Sequence, residues 1–203
     1  MTRELPASPA AERNKAPILT VLESVLPKTG SVIEIASGTG QHVCFFAAAM
    51  PGIIWQPTEP DASDRDAITA RIREAGLTNI AAPIALDVLE PRWPIADSFD
   101  AVLCINMIHI SPWPATDALC RGAALHLNAR GRLVLYGPYL ESGQAVQSNL
   151  DFDASLKRRN SDWGLRELTE VTRVAGEHGL QRQQIVRMPA NNLIVVFAKQ
   201  TAG

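Results

Sequence analysis

The chain has 203 residues, 46% of them hydrophobic, and a formal net charge of −2. That length and apolar content suit a single core, and the near-neutral charge supplies no broad basic field of the kind that gathers nucleic-acid phosphates. No apolar run approaches the roughly 20 residues of a membrane span, and the opening "MTRELPASPAAERNK" lacks the apolar middle of a signal peptide, so a cytoplasmic protein with neither nucleic-acid nor membrane partners is expected.

Taken in chain order, the first signal is Pro17, which disfavours helix at Ala16 and predicts a turn over "ERNK", followed by an amphipathic helix burying Ile18, Val21, Leu22 and Val25. "SVIEIA" (31–36), "IIWQPT" (53–58), "AAPIAL" (81–86), "FDAVLCIN" (99–106) and "RLVLYG" (132–137) are short runs rich in β-branched residues and predict strands. Between them "QHVCFFAAAM", "SDRDAITARIREAG" and "PATDALCRGAALHLNARG" predict helices, the second with Ile68, Ile72 and Ala75 on one face and Gly76 as its stop. Apolar strands alternating with helices imply a parallel sheet covered on both faces. After a helix ending near Gly179, "QRQQIVRMP" and "NNLIVVFAKQ" are joined by a connection too short for a parallel crossover, so they form a hairpin and the last strand runs antiparallel. The expected α/β architecture, a seven-stranded and mostly parallel sheet with an antiparallel last strand, resembles the Rossmann-like class I methyltransferase fold. Cys44, Cys104 and Cys120 lie inside apolar patterns and are expected to be buried thiols.

"VIEIASGTGQH" (32–42) ends the first strand in small residues, at the edge where open α/β sheets bind ligands. Gly38 and Gly40, with Ser37 beside them, let the backbone approach a ligand closely. Val43 stands where a dinucleotide fingerprint carries its third glycine, which counts against a dinucleotide. Glu34 favours a cationic or amine-bearing ligand, and S-adenosylmethionine carries both a sulfonium and an ammonium. The pattern resembles the acidic-x-G-x-G-x-G signature of S-adenosylmethionine enzymes, with Ala36 in place of the first glycine. Glu59, about 20 residues past the glycines, is placed for ribose hydroxyls, with Asp61 as its alternative. Asp87 could accept from the adenine amino group with Val88 packed nearby.

The segments "SPAAERNKAPIL", "IEIASGTGQH", "WQPTEPD", "NMIHISPW", "YGPY", "FDASL" and "MPANNL" together resemble the methyltransferase-like 26 family, from about Ser8 to Phe197. The resemblance implies a methyltransferase fold and an S-adenosylmethionine cofactor, and supplies no acceptor.

The remaining segments are read as the methionine end of the cofactor and the acceptor site. Arg13 is suited to the methionine carboxylate and Asn14 to either ligand, with Glu12 turned to the acceptor. Asn106 follows the fourth strand beside the methyl group, and His109 is expected to line the acceptor site and is the candidate general base, although methyl transfer to a lone-pair nucleophile needs no strong base. Residues 138–163 are expected to form an inserted lid on a single domain spanning 1–203, with 1–30 as an N-terminal cap segment and helix. Tyr136, Tyr139, Asn149 and Asp153 offer polar contacts, Trp113 a pocket wall, and Asn191 or Asn192 in the hairpin a closing amide. His42, His109, His126 and His178 show no metal-ligand spacing, so no metal is expected. The function expected is methyl transfer to a small-molecule acceptor by a monomer or homodimer; the alternative is a non-catalytic module that binds the cofactor as a sensor or partner subunit.

Overall fold

The computed structural model describes residues 5–200; the first four residues of the expected cap segment, and residues 201–203, lie outside the described residues. Strands β1 (Gly30–Ile35), β2 (Ile53–Pro57), β3 (Phe99–Ile105) and β4 (Leu127–Gly137) are parallel. Two further short strands, β5 (Tyr139–Leu140) and β6 (Arg166–Glu167), pair only with each other. The chain then forms β7 (Leu180–Met188) and returns along β8 (Asn192–Lys199), which lies antiparallel between β4 and β7. The main sheet therefore has six strands in the order β2-β1-β3-β4-β8-β7, and the antiparallel last strand is the one the short "PANN" connection requires.

Alternate side chains of the central strands feed two cores. Ile33, Ile35, Val102, Cys104, Leu133, Leu135, Val195 and Phe197 point to one face, where α4 (Pro114–His126) and α6 (Leu168–Glu177) cover them. Val32, Ala101, Leu103, Val134, Ile194 and Val196 point to the other, beneath α1 (Pro9–Val25) and α2 (Gln41–Ala49). Cys44, Cys104 and Cys120 are buried free thiols in these cores. Helix α3 (Ala62–Ala75) is capped by Asp61, whose side chain accepts from the Ser63 and Asp64 amides, and ends at left-handed Gly76. It buries Ile68 and half-buries Ile72, whereas Ala75 is exposed.

Three local expectations are corrected. "ERNK" is not a turn: α1 starts at Pro9 behind the Ser8 cap and runs through Pro17. The proline withdraws one N–H from the Arg13 carbonyl. The helix persists because Ile18, Val21, Leu22 and Val25 are buried and because its first turns bond to α2, Glu12 accepting from Gln41 at 3.0 Å and Asn14 meeting His42 at 2.7 Å. "AAPIAL" is the strand the sheet lacks. It tracks β2 through isolated bridges at Ile80 and Ile84, but Pro57 and Pro83 cannot donate to a ladder and pairing stays intermittent. The last predicted helix before β4 is also shorter than its pattern, ending at His126.

Candidate functional site

The carboxyl ends of β1 to β4 and the β7–β8 turn share one edge of the sheet. At β1 the chain leaves through Ala36, Gly38 and Gly40, with φ of +54°, +55° and +80°. Those left-handed steps suit the glycines, while Ala36 holds the same conformation at a steric cost. A Cβ built on Gly38 would meet nothing within 4 Å, so the turn faces open space, whereas one on Gly40 would press on Ile68 at 3.2 Å. The turn is pinned from all sides: the Ser37 amide donates to Thr58 O at 2.8 Å, and Arg71 donates to the carbonyls of Thr39 and Pro6.

Two carboxylates underlie this turn. Glu34 is 1% exposed, and its Oε2 has no hydrogen-bond partner. Burial raises its pKa to about 8, helped by the charge of Glu59 and opposed by Ser37. Glu59 Oε2 accepts from the Gly38 amide at 2.9 Å and its Oε1 from the Asp61 amide at 3.4 Å. Burial still raises the Glu59 pKa, and those two amides oppose it. Asp61 caps α3 rather than competing for this position. Asp87 is exposed and accepts from the Leu89 amide at 2.9 Å in a turn rather than at a strand end, beside buried Val88.

Farther along the edge, beside the ends of β3 and β4, lies a cavity of about 620 Å³. Helix α1 gives it Ala10, Arg13, Asn14 and Pro17, a single stripe at i, i+3, i+4 and i+7. Asn106 and Tyr136 form its inner wall, tied by the Asn106 amide donating to Tyr136 O at 2.8 Å. Asn106 has φ +61°, a conformation asparagine tolerates better than most residues. The opposite wall comes from Pro138 and from Asn149 and Phe152 of α5 (Gln147–Arg159), and the β7–β8 turn closes it with Ala190 and Asn192.

The expected residues thus divide. Arg13, Asn14, Asn106, Tyr136 and Asn149 meet at the cavity, and Glu34, Ser37, Gly38, Gly40 and Glu59 meet at the glycine turn. Six expected acceptor residues, His109 among them, sit outside the cavity wall. Glu12 is engaged by Lys15 and Gln41. Trp113 lies under the Arg166 guanidinium at 5.7 Å. Asp153 accepts from the Leu165 amide and pairs with Lys157. Asn191, at φ +56°, offers its carbonyl to the Asn149 amide at 2.9 Å. Tyr139 is buried edge-on against His109, with ring centroids 5.1 Å apart.

His109 itself is sealed, 1% exposed, with neither ring nitrogen hydrogen-bonded. A Cβ on Gly137 would strike its Nε2 at 2.2 Å, so the bare backbone of β4 packs against the ring. Burial, with Arg166 nearby, lowers its pKa to about 3. A group so placed is neutral near pH 7 and a weak base. Its carbonyl accepts the Gly164 amide at 2.9 Å, and Arg166 bonds the carbonyls of Ile108 and Ser111, so the residue also fastens the end of the 138–163 insertion.

Of the cavity residues, Phe152 and Ala190 carry no site expectation in the sequence, and Pro17 is expected there only as a helix boundary. The helical stripe from Ala10 to Pro17 is visible in the letters once the helix is allowed through the proline. Nothing in the letters marks Ala190, whose φ of +55° is a product of the hairpin.

A parallel sheet with an antiparallel last strand, helices on both faces and a ligand-sized cavity at the carboxyl edge define the Rossmann-like methyltransferase fold. Mitomycin 7-O-methyltransferase MmcR is similar with a TM-score of 0.81 at 16% identity, over 94% of this chain and 54% of that one. An O-methyltransferase family protein from Burkholderia thailandensis gives 0.79 at 16%, over 96% and 58%. CalO1, a methyltransferase of calicheamicin biosynthesis in an SAH-bound form, gives 0.75 at 15%, over 94% and 55%. The chain therefore spans little more than half the length of these proteins, and the likeness is one of fold. Residues 5–199 match the family described as protein of unknown function (DUF938), and the chain belongs to that family.

Proposed function

We propose that the protein is an S-adenosylmethionine-dependent methyltransferase acting on a small-molecule acceptor, with its closer affiliation in the methyltransferase-like 26 family. The observation that carries this reading is the shared edge: an open glycine turn over a buried carboxylate with an unpartnered oxygen, at the same carboxyl edge of the sheet as a cavity at Asn106.

The residues present fit such a cofactor. Gly38 faces open space that a cofactor would fill, and the unpartnered Glu34 oxygen suits an ammonium. Glu59 keeps free lone pairs on both oxygens for ribose hydroxyls while its amide partners hold it in place. Asp87 and Val88 flank the adenine, and Arg13, Asn14 and Asn106 the methionine end. S-adenosylmethionine supplies an activated methyl on a sulfonium. Tyr136 and Asn149 orient the acceptor, and residues 138–163 act as the lid that excludes water. His109 and Tyr139 support this wall from behind, so alignment rather than base strength supplies the rate.

Titration calorimetry with S-adenosylhomocysteine and, separately, NAD tests the cofactor. Micromolar binding of the first alone supports the reading, and binding of NAD alone overturns it. The second reading, a cofactor-binding module without transfer, draws on the sealed state of His109. It predicts S-adenosylhomocysteine binding and no turnover of S-adenosylmethionine across a metabolite panel.

A further inference from the structure

Gln41 is the first residue of α2, directly after left-handed Gly40, so its backbone ends the glycine turn. Its side chain is 9% exposed and reaches α1 at two points. Oε1 accepts from the amide of Ser8, the cap of α1, and Nε2 donates to Glu12 Oε1 at 3.0 Å. The partners fix which end of this amide is which, since a backbone N–H only donates and an ionised carboxylate only accepts. Glu12 has its pKa lowered, chiefly by the bond from Lys15, with burial opposing and the Gln41 bond assisting.

The turns of α1 held in this way are the ones that carry Ala10, Arg13 and Asn14 to the cavity wall. Pro17 leaves the Arg13 carbonyl without its helix hydrogen bond, so these first turns are tied less firmly to the rest of α1 and lean on α2. A second tether lies just ahead of the helix. Arg71 donates to Pro6 O at 2.7 Å and to Thr39 O, inside the glycine turn, at 3.0 Å.

We infer that Gln41 is a positioning residue: from the end of the glycine turn it sets the start of α1, and with it Arg13 and Asn14, so that the two parts of the site keep one register. This deepens the proposed function and rests on it for the ligand, since Arg13 and Asn14 flank the methionine end of the cofactor there. The two bonds themselves belong to the free protein.

Two substitutions separate this role from packing. Gln41→Met keeps the length of the side chain and removes both bonds. Gln41→Glu keeps both while its new carboxyl is protonated, the carbonyl accepting from Ser8 and the O–H donating to Glu12. Once ionised it sets two carboxylates face to face, so its pKa stands above the ordinary carboxylate value. Lys15 on α1 and Arg71 on α3 are the charged groups facing Glu12. His42, lowered to about 4, and Cys44, raised to about 11, do not titrate between pH 5 and 8. Glu34 and Glu59 are common to all three proteins, so affinities taken as ratios to wild type cancel them.

Calorimetric titration with S-adenosylhomocysteine at pH 5, 6.5 and 8 supplies those ratios. Gln41→Met should bind about 10-fold more weakly at every pH. Gln41→Glu should stay within about 3-fold of wild type at pH 5 and weaken to about 10-fold or more by pH 8. Unchanged affinity in folded Gln41→Met, or a Gln41→Glu ratio that is flat across the range, overturns the inference. Should Gln41→Met not fold, the Gln41→Glu profile decides alone. If the wild type binds no S-adenosylhomocysteine, the proposed function fails, and amide exchange of the free protein decides the positioning. Protection of residues 12–15 in Gln41→Glu, relative to wild type, should then fall from pH 5 to 8 while β3 and β4 keep theirs, and equal protection overturns it.

Discussion

Replacing Glu34 by glutamine should remove one component of the pH dependence of stability, a fall between about pH 4.5 and 8 that this carboxyl contributes. The carboxyl is buried and its pKa is raised from 4.5 to about 8. Below pH 4.5 both folded and unfolded states are protonated and the contribution is fully present. Between 4.5 and 8 the unfolded chain ionises while the folded one holds its proton, so stability falls by about 1.4 kcal/mol per pH unit. Above 8 both states are ionised and the slope ends. The full difference is on the order of 5 kcal/mol, with about half of that a realistic outcome after relaxation of the site. With a urea m value of about 2 kcal/mol/M, the wild-type midpoint should drop relative to that of the variant by roughly 0.7 M per pH unit, or about half of that after relaxation. Glu59 has a raised pKa of its own, and His42 and His109 are lowered to about 4 and about 3. These groups persist in the variant, so subtracting its urea melts at pH 5.5, 7 and 8.5 isolates Glu34. Parallel midpoints for the two proteins across that range would refute the argument. An ammonium beside Glu34 would also draw off its proton, so S-adenosylhomocysteine binding should tighten as pH rises toward 8 and its measured enthalpy should vary with the buffer.

Glu59→Ala should weaken S-adenosylhomocysteine binding by about 1–3 kcal/mol, roughly 5- to 150-fold by calorimetry; unchanged affinity would remove Glu59 from the ribose position. Pro17→Ala restores a donor for the Arg13 carbonyl in α1 and should stabilise the protein by about 1–2 kcal/mol in denaturant melts. A loss of stability would mean that the proline ring packs better than the lost hydrogen bond costs. His109→Phe removes two unpartnered nitrogens while filling the same space, and should leave the melting midpoint unchanged or raised by about 1 kcal/mol. If an acceptor is found and this variant slows transfer by about 100-fold, His109 is a base after all. Gly122→Ala would drive a Cβ into Trp93 at 2.1 Å, and should cost about 1–3 kcal/mol through overpacking.

Much of this protein is written in its local pattern. The alternation of β-branched runs with helical stretches dictates a parallel sheet, because each run is apolar on both faces and must be covered twice. The four-residue connection near Pro189 dictates the antiparallel last strand, because no crossover fits in it. The placement of the glycine turn and of the carboxylates Glu34 and Glu59 is legible for the same reason, since all of them stand at strand ends. Tertiary structure decided what depends on neighbours distant in sequence. Whether α1 passes through Pro17 rests on burial against the sheet and on bonds to Gln41 and His42, which outweigh one missing hydrogen bond. Whether "AAPIAL" becomes a strand rests on Pro57 and Pro83, which donate nothing at the β2 edge and leave only isolated bridges there. His109 is a polar letter at a strand end, yet only the close approach of Gly137 and the cover of Tyr139 make it a sealed, neutral ring.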